Sequence, residues 1–269
     1  MATRKQWPVA LTVAGSDSGG GAGIQADLKT FAAFKVHGAS AIACLTAQNP
    51  RRVLGIEPCP PRMLQRQLRA IFEELPPRAV KTGMLYSAEN IRAVAGFFRT
   101  ARCPLVVDPV MVSTSGAALL DPAARKVLVE ELLPQATLVT PNLDEAGELL
   151  GAKPVSVAAM ADAAREIHWR FGCAVLIKGG HLRGQAMAVD VFYDGRKERR
   201  LSAPFVRGVP THGTGCTYSA AICAALALGH DLARAVAIGK KFVTAAIANS
   251  YRVGGHFALG TGDVARSRR

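Results

Sequence analysis

The chain predicts an α/β protein built on a mostly parallel β-sheet, and three observations carry that expectation. Apolar runs at Leu105–Val107, 137–139 and Ala174–Ile177 do not alternate with polar residues, as expected of strands covered on both faces. Strand-like runs are interspersed with segments whose apolar residues recur at helical spacing. Each of the three runs also ends in a polar segment: Asp108-Pro109-Val110-Met111, Thr140-Pro141-Asn142-Leu143-Asp144-Glu145 and Lys178-Gly179-Gly180-His181. Open α/β sheets bind ligands outside the carboxyl ends of their strands, so three polar exits point to one shared site.

Taken in order, Val9–Ala14 reads as a strand that breaks at Gly15-Ser16-Asp17-Ser18-Gly19-Gly20-Gly21 and is followed by a helix over 24–34. Residues 39–46 read as a second strand. Leu64, Leu68, Ile71, Phe72 and Leu75 repeat at helical spacing until Pro76-Pro77, and Ile91, Val94, Ala95 and Phe98 mark another amphipathic helix. After the three buried strands, 189–201 reads as a hairpin turning at Asp194-Gly195. Gly213-Thr214-Gly215-Cys216 opens a small-residue helix to Leu228, and Leu232–Ala248 is the last helix. No repeat, low-complexity tract or linker divides the chain, so a single domain over 1–269 is expected, with flexible tails at 1–7 and 261–269.

The chain has 269 residues, 49% of them apolar and 20% charged, enough to bury a large core and to exclude disorder as its main state. No apolar run approaches the ~18 residues needed to cross a bilayer, and Val9–Ala14 is too short for a secretory signal core. A soluble, cytoplasmic protein without a membrane partner is expected. Six cysteines, at 44, 59, 103, 173, 216 and 223, include no C-x-x-C pair and read as reduced thiols. The net charge of +13 raises nucleic acid as a partner, but the 33 Lys and Arg are scattered and aromatics make up only 6%. No stacking platform results, and the basicity reads as a solvated surface or a general attraction to anionic metabolites.

Gly213-Thr214-Gly215-Cys216 precedes a helix whose unpaired amides and positive dipole end converge on one spot. That spot is either an anion site, with the Cys216 thiolate favoured by the same dipole, or a glycine turn capping a buried helix. Gly21-Ala22-Gly23-Ile24-Gln25-Ala26 formally matches a dinucleotide fingerprint, yet no acid stands ~20 positions further on, since the next after Asp27 is Glu57. A P-loop is absent as well. Asp17 and Asp27 are either a cap and a surface carboxylate or groups facing a ligand. Asp108 and Glu145, at two strand exits, suit Mg²⁺ between nucleotide phosphates, or else are helix N-terminal acids, as Asp144 is. Lys178 pairs with phosphate or with a neighbouring carboxylate, and His212 is the one histidine close to the anion loop. Together the pieces call for phosphoryl transfer.

These residues resemble the hydroxymethylpyrimidine and phosphomethylpyrimidine kinases of thiamine biosynthesis, within the ribokinase-like superfamily. The resemblance rests on the run from Ala14 through Gly15-Ser16-Asp17 to Gln25-Ala26-Asp27-Leu28-Lys29-Thr30, and on Ala47-Gln48-Asn49 and Lys81-Thr82-Gly83-Met84-Leu85. It continues through the three strand exits above, with Ala146 after the second, and through Thr211-His212-Gly213-Thr214-Gly215-Cys216-Thr217. It implies a three-layer α/β/α ribokinase-like fold with a mostly parallel central sheet, and a homodimer. The implied activity is transfer of phosphate from ATP, with Mg²⁺, to 4-amino-5-hydroxymethyl-2-methylpyrimidine and then to its monophosphate. Gln48 would read the aminopyrimidine edge, and Gly15, Ala22, Asp27, Met84 and Val110 would line the ring pocket. Asp108 and Glu145 would serve Mg²⁺, Asn142 and Lys178 the ATP phosphates, and Thr211 with Gly213, Thr214, Gly215 and Cys216 the transferred group. Cys216 stands where most of the superfamily has an aspartate base, and Pro210 where relatives have Asp or Asn. The rival readings are a pyridoxal or pyridoxine kinase and, from another class, a silent metabolite sensor or a basic nucleic-acid-binding protein.

Overall fold

The computed structural model describes residues 6–111, 120, 122–180, 182, 184–209 and 212–262. The expected tails fall mostly outside that set, and so do His181, Pro210 and Thr211 of the quoted motifs. The first half of the chain contains β1 (Val9–Ala14), α1 (Gly23–Ala33), β2 (His37–Ile42), β3 (Cys44–Asn49), β4 (Arg52–Pro58), α2 (Pro61–Glu74), β5 (Ala79–Thr82), α3 (Ala88–Phe98) and β6 (Leu105–Val107). The second half adds α4 (Pro122–Val127), β7 (Leu138–Val139), α5 (Leu143–Leu150), α6 (Val157–Phe171), β8 (Ala174–Ile177), β9 (Met187–Tyr193), β10 (Glu198–Pro204), α7 (Thr214–Ala227), α8 (Leu232–Ala248) and a small hairpin, β11 (Tyr251–Val253) with β12 (His256–Ala258).

Eight strands pair in the order β10-β9-β8-β7-β6-β5-β1-β2. From β2 to β8 every pairing is parallel, whereas β9 and β10 join antiparallel. The non-alternating runs follow from what lies on each face. Leu105, Val107, Val175 and Ile177 point into one core with residues of α2 to α6, while Val106, Ala174 and Leu176 point into a second core with α1, α7 and α8. This is the expected three-layer arrangement. Fully burying each such Leu, Ile or Val contributes roughly 1.5–3 kcal/mol, so a polar residue at either parity would be costly.

The sheet departs from the sequence reading at two places. The strand expected at 39–46 divides at Ala43, whose amide bonds the Ala14 carbonyl (3.0 Å) while its own carbonyl accepts from Cys59 (2.9 Å). The chain therefore leaves the main sheet there and β3 pairs with β4 in a separate ribbon. Strand β5 was not anticipated at all, because a four-residue strand with a lysine at its centre carries no periodic signal.

Local chemistry sets most helix starts. Ser87, Asn142, Ser156 and Asp231 cap α3, α5, α6 and α8 through their side chains. Helices α1 and α7 lack a side-chain cap, and each follows a glycine-rich turn. Among the described residues no helix is long and apolar enough to cross a membrane.

Candidate functional site

Strand order changes direction at β1, with β2 on one side and β5 on the other, which opens a crevice at the carboxyl ends. A cavity of about 770 Å³ lies there. It is bordered by the exits of β1 (Gly15, Asp17), β5 (Met84), β6 (Asp108, Val110), β7 (Asn142) and β8 (Lys178), and by the start of α7. The three polar exits do share one site.

At one end the chain after β1 is folded tightly. Gly15 donates to the Met84 carbonyl (2.9 Å), and a Cβ on Gly15 would lie 2.6 Å from the Cys44 sulfur. The buried Asp17 carboxylate gathers the following loop, accepting from the amides of Gly19 (2.8 Å), Gly21 (3.1 Å) and Ala22 (2.8 Å). Burial pushes Asp17 up, but bonds from His212, Ala22 and Gly19 more than offset it, and the carboxyl sits below its usual range. Gln48 lines the same end from β3, where the ladder shifts register between Ala47 and Gln48. The extra residue of that bulge is Leu54 on β4, and Ser18 holds Gln48 in place by bonding its amide and carbonyl at 2.8 and 2.7 Å. Gly15, Ala22, Gln48, Met84 and Val110 thus come together as expected.

Asp27 does not join them. Its side chain is fully buried behind the wall, accepting from Thr12 Oγ1 (2.6 Å) and from Lys81 Nζ (2.9 and 3.0 Å). The helix that carries it packs this face inward, so Asp27 is neither a surface carboxylate nor a cavity-lining one, and Lys81 borders the cavity instead.

At the other end, Asp108 accepts from Lys178 Nζ (2.8 Å), Thr140 Oγ1 (3.1 Å) and Ser219 Oγ (3.2 Å). Glu145 lies 4.0 Å from the same ammonium. Burial pushes Asp108 up, yet Lys178 and Lys81 pull harder and its carboxyl stays below the ordinary value. Glu145 is driven by burial to about 7, with Asp108 adding to the rise and Lys178 opposing it. Asn142 and Glu145 also form a reciprocal cap at the start of α5, with bonds of 2.9 and 2.7 Å, so Glu145 is a helix N-terminal acid that borders the cavity as well. Two carboxylates beside one lysine fit Mg²⁺, which is commonly held by one or two carboxylates and completes its shell with phosphate oxygens and water.

Between the two ends lies the start of α7. Gly213 sits at φ +79 and a Cβ there would fall 1.8 Å from the Gly21 carbonyl oxygen; a Cβ on Gly215 would be 3.3 Å from Lys178 Nζ. Gly213 is needed for close approach of the two backbones, whereas a side chain at 215 would crowd Lys178 only slightly. Among the described residues no protein acceptor takes the amides of Gly215 and Cys216, so the helix presents bare N–H groups and its positive dipole end beside Lys178. The Cys216 thiolate is not favoured as expected. Burial pushes the thiol to about 11, outweighing the pull of Lys81 and of the Gly23 amide, while Asp27 and Asp108 add to the rise. Thr211 lies outside the described residues.

The sequence reading missed Lys81, Tyr218, Asp190 and Lys240, all bordering the cavity. Lys240 bonds Asp190 (2.7 Å), whose other oxygen holds the Gly179 amide (2.9 Å) next to Lys178. An Asp and a Lys 50 positions apart leave no local pattern to find.

A family model described as phosphomethylpyrimidine kinase matches residues 17–260. A hydroxymethylpyrimidine/phosphomethylpyrimidine kinase of Synechococcus elongatus is 46% identical over 93% of this chain and 97% of its own length. Among solved structures, phosphomethylpyrimidine kinase from Clostridium difficile superposes with a TM-score of 0.80 at 42% identity, over 89% of this chain and 98% of the other. An ADP complex of Bacillus subtilis pyridoxal kinase superposes at 0.88 with 36% identity, over 96% and 99%.

Proposed function

The chain belongs to the phosphomethylpyrimidine kinase family, and from that premise we propose that it transfers the terminal phosphoryl group of ATP to a hydroxymethyl aminopyrimidine and to its monophosphate, for thiamine biosynthesis. One observation carries this reading: Gln48, Met84 and Val110 line the same cavity as Lys178 and the start of α7, where no acceptor among the described residues takes the Gly215 and Cys216 amides. A heteroaromatic alcohol and a polyphosphate need those two ends to face each other.

Each group then has a task. The Gln48 amide offers both a donor and an acceptor, which suits a ring nitrogen beside an exocyclic amine. Lys178 and Asn142 bind the nucleotide phosphates, and the 213–216 loop receives the transferred phosphoryl at its amides. Asp108 and Glu145 would hold Mg²⁺, which would supply positive charge against the nucleotide phosphates. With its thiol near 11, Cys216 is protonated at neutral pH, so its contribution is the backbone N–H rather than base catalysis. A loose transition state asks little early deprotonation of the acceptor hydroxyl, so a strong base is not required.

Incubating the purified protein with ATP and 4-amino-5-hydroxymethyl-2-methylpyrimidine, and separating mono- from diphosphate products, tests the reading. Both products are expected. Strong preference for pyridoxal under the same conditions, or no ADP with either alcohol, would overturn it. Gln48→Ala is expected to raise the aminopyrimidine KM about tenfold or more, as loss of one or two buried hydrogen bonds implies, with the KM for ATP unchanged.

The reading includes a homodimer, in the cytoplasm. The ribbon of β3 and β4 stands outside the main sheet and leaves Leu45 and Leu54 56% and 63% exposed, an apolar pair that a second copy would cover. Light scattering is expected to give about twice 28.3 kDa, and the mass of one chain at micromolar concentration would rule the dimer out.

A further inference from the structure

Lys81 is among the largest side chains that the described structure buries completely, and no step above uses it. It stands on the central strand β5 with its Nζ bonded to both Asp27 oxygens, and Asp27 is closed off behind it by Thr12. Stability does not explain such a pair. Replacing buried ion pairs by apolar residues of similar volume is often neutral or stabilising, because two charges must first be taken out of water.

Its orientation is more informative. Lys81 borders the cavity and Asp27 does not, so the pair is a fixed dipole with its positive end toward the site. Gly83, also on the cavity wall, lies beside that end, a Cβ there falling 3.4 Å from Nζ. Cys216 and Asp108 both feel the ammonium: it draws the thiol down against burial and helps keep Asp108 ionised.

We propose that the Asp27–Lys81 pair is an electrostatic element of the transfer reaction, its positive end attracting the negatively charged phosphoryl group as it moves toward the acceptor oxygen beside the start of α7. The inference rests on the kinase reading. In that step an acceptor lone pair forms the new O–P bond, the bond from the γ-phosphorus to the bridging oxygen breaks with its electrons leaving on ADP, and the hydroxyl proton passes to water. A preorganised charge in a dry wall acts more strongly on the phosphoryl group in transfer than on bound ATP, and so acts on kcat more than on KM.

The triple replacement Thr12→Val, Asp27→Leu and Lys81→Met removes the polar set without leaving a lone buried charge. It is expected to stay folded by thermal melting, to lose about a hundredfold in kcat and to change neither KM more than threefold. Iodoacetamide labelling of Cys216, followed by peptide mass spectrometry, is expected to slow severalfold at fixed pH. Unchanged kcat and labelling would overturn the proposal. Should the triple variant not fold, two single changes decide: Lys81→Arg keeps the charge and is expected to retain more kcat than the smaller, neutral Lys81→Gln. The reverse order would mean that only shape matters. If the parent protein forms no ADP with the aminopyrimidine, the kinase reading fails, while the labelling comparison still tests the field at Cys216.

Discussion

Asp108→Asn is expected to lower kcat about a thousandfold while the chain remains folded, because the group is charged, buried and aimed at the phosphate end of the cavity. Three donors converge on it, from Lys178, Thr140 and Ser219. An amide oxygen in the Oδ1 place can still accept from Thr140, and the amide nitrogen in the other place can donate to Ser219 Oγ, but the side chain no longer neutralises Lys178. That ammonium is left with Glu145 alone, 4.0 Å away. Glu145 in turn loses the neighbouring charge that helps hold it at about 7, and ionises more readily, which offsets part of the loss. A net cost of about 1–3 kcal/mol follows, or a melting midpoint lower by roughly 2–10 °C for a chain of this size. Because the folded pKa of Asp108 lies below the ordinary 3.8, its contribution to stability is complete above that value and fades only as pH falls through the folded pKa. At neutral pH the variant therefore shows the whole effect. Steady-state kinetics check the reading: kcat should fall, the Mg²⁺ concentration for half-maximal rate should rise, and the aminopyrimidine KM should hold within threefold. A normal kcat would reduce Asp108 to a structural partner of Lys178.

Much of this was legible in the chain, for a common reason. Parallel strands buried on both faces must be apolar throughout, so Leu105–Val107 and Ala174–Ile177 announce themselves, and the residues that follow each strand must turn polar where the sheet meets ligand. The glycine at 213 was equally readable, since close approach of backbone to backbone admits no side chain. Asp27 was placed wrongly because its role depends on Lys81, 54 positions away on a strand too short to show a period. The division of 39–46 into two strands has the same origin. It is decided by Ala14 and Cys59, which local sequence cannot see. The thiol of Cys216 was misjudged on energetic grounds, since a helix start is visible in sequence and the burial that pushes the thiol to about 11 is not.

Gly213→Ala is expected to be nearly as damaging as Asp108→Asn, through geometry rather than charge. At φ +79 an alanine carries the left-handed penalty of roughly 1–2 kcal/mol, and its Cβ would fall 1.8 Å from the Gly21 carbonyl oxygen. Neither backbone can yield alone: Gly21 belongs to the loop gathered by Asp17, and Gly213 fixes where α7 begins. Relief of the overlap must move the two loops apart by an ångström or more, carrying the Gly215 and Cys216 amides away from Lys178. Displacements of that size cost about a hundredfold in rate when catalysis depends on orientation, so kcat should fall by that much or more, with the melting midpoint lower by several degrees. Gly96→Ala is the control. Gly96 lies within α3 with open space around it, and alanine there should raise the midpoint by roughly 1–4 °C, from about 0.5–1 kcal/mol of helix propensity, with kcat unchanged. If both variants behaved alike, the contact between the two glycine-rich loops would have no part in holding the phosphate end of the site.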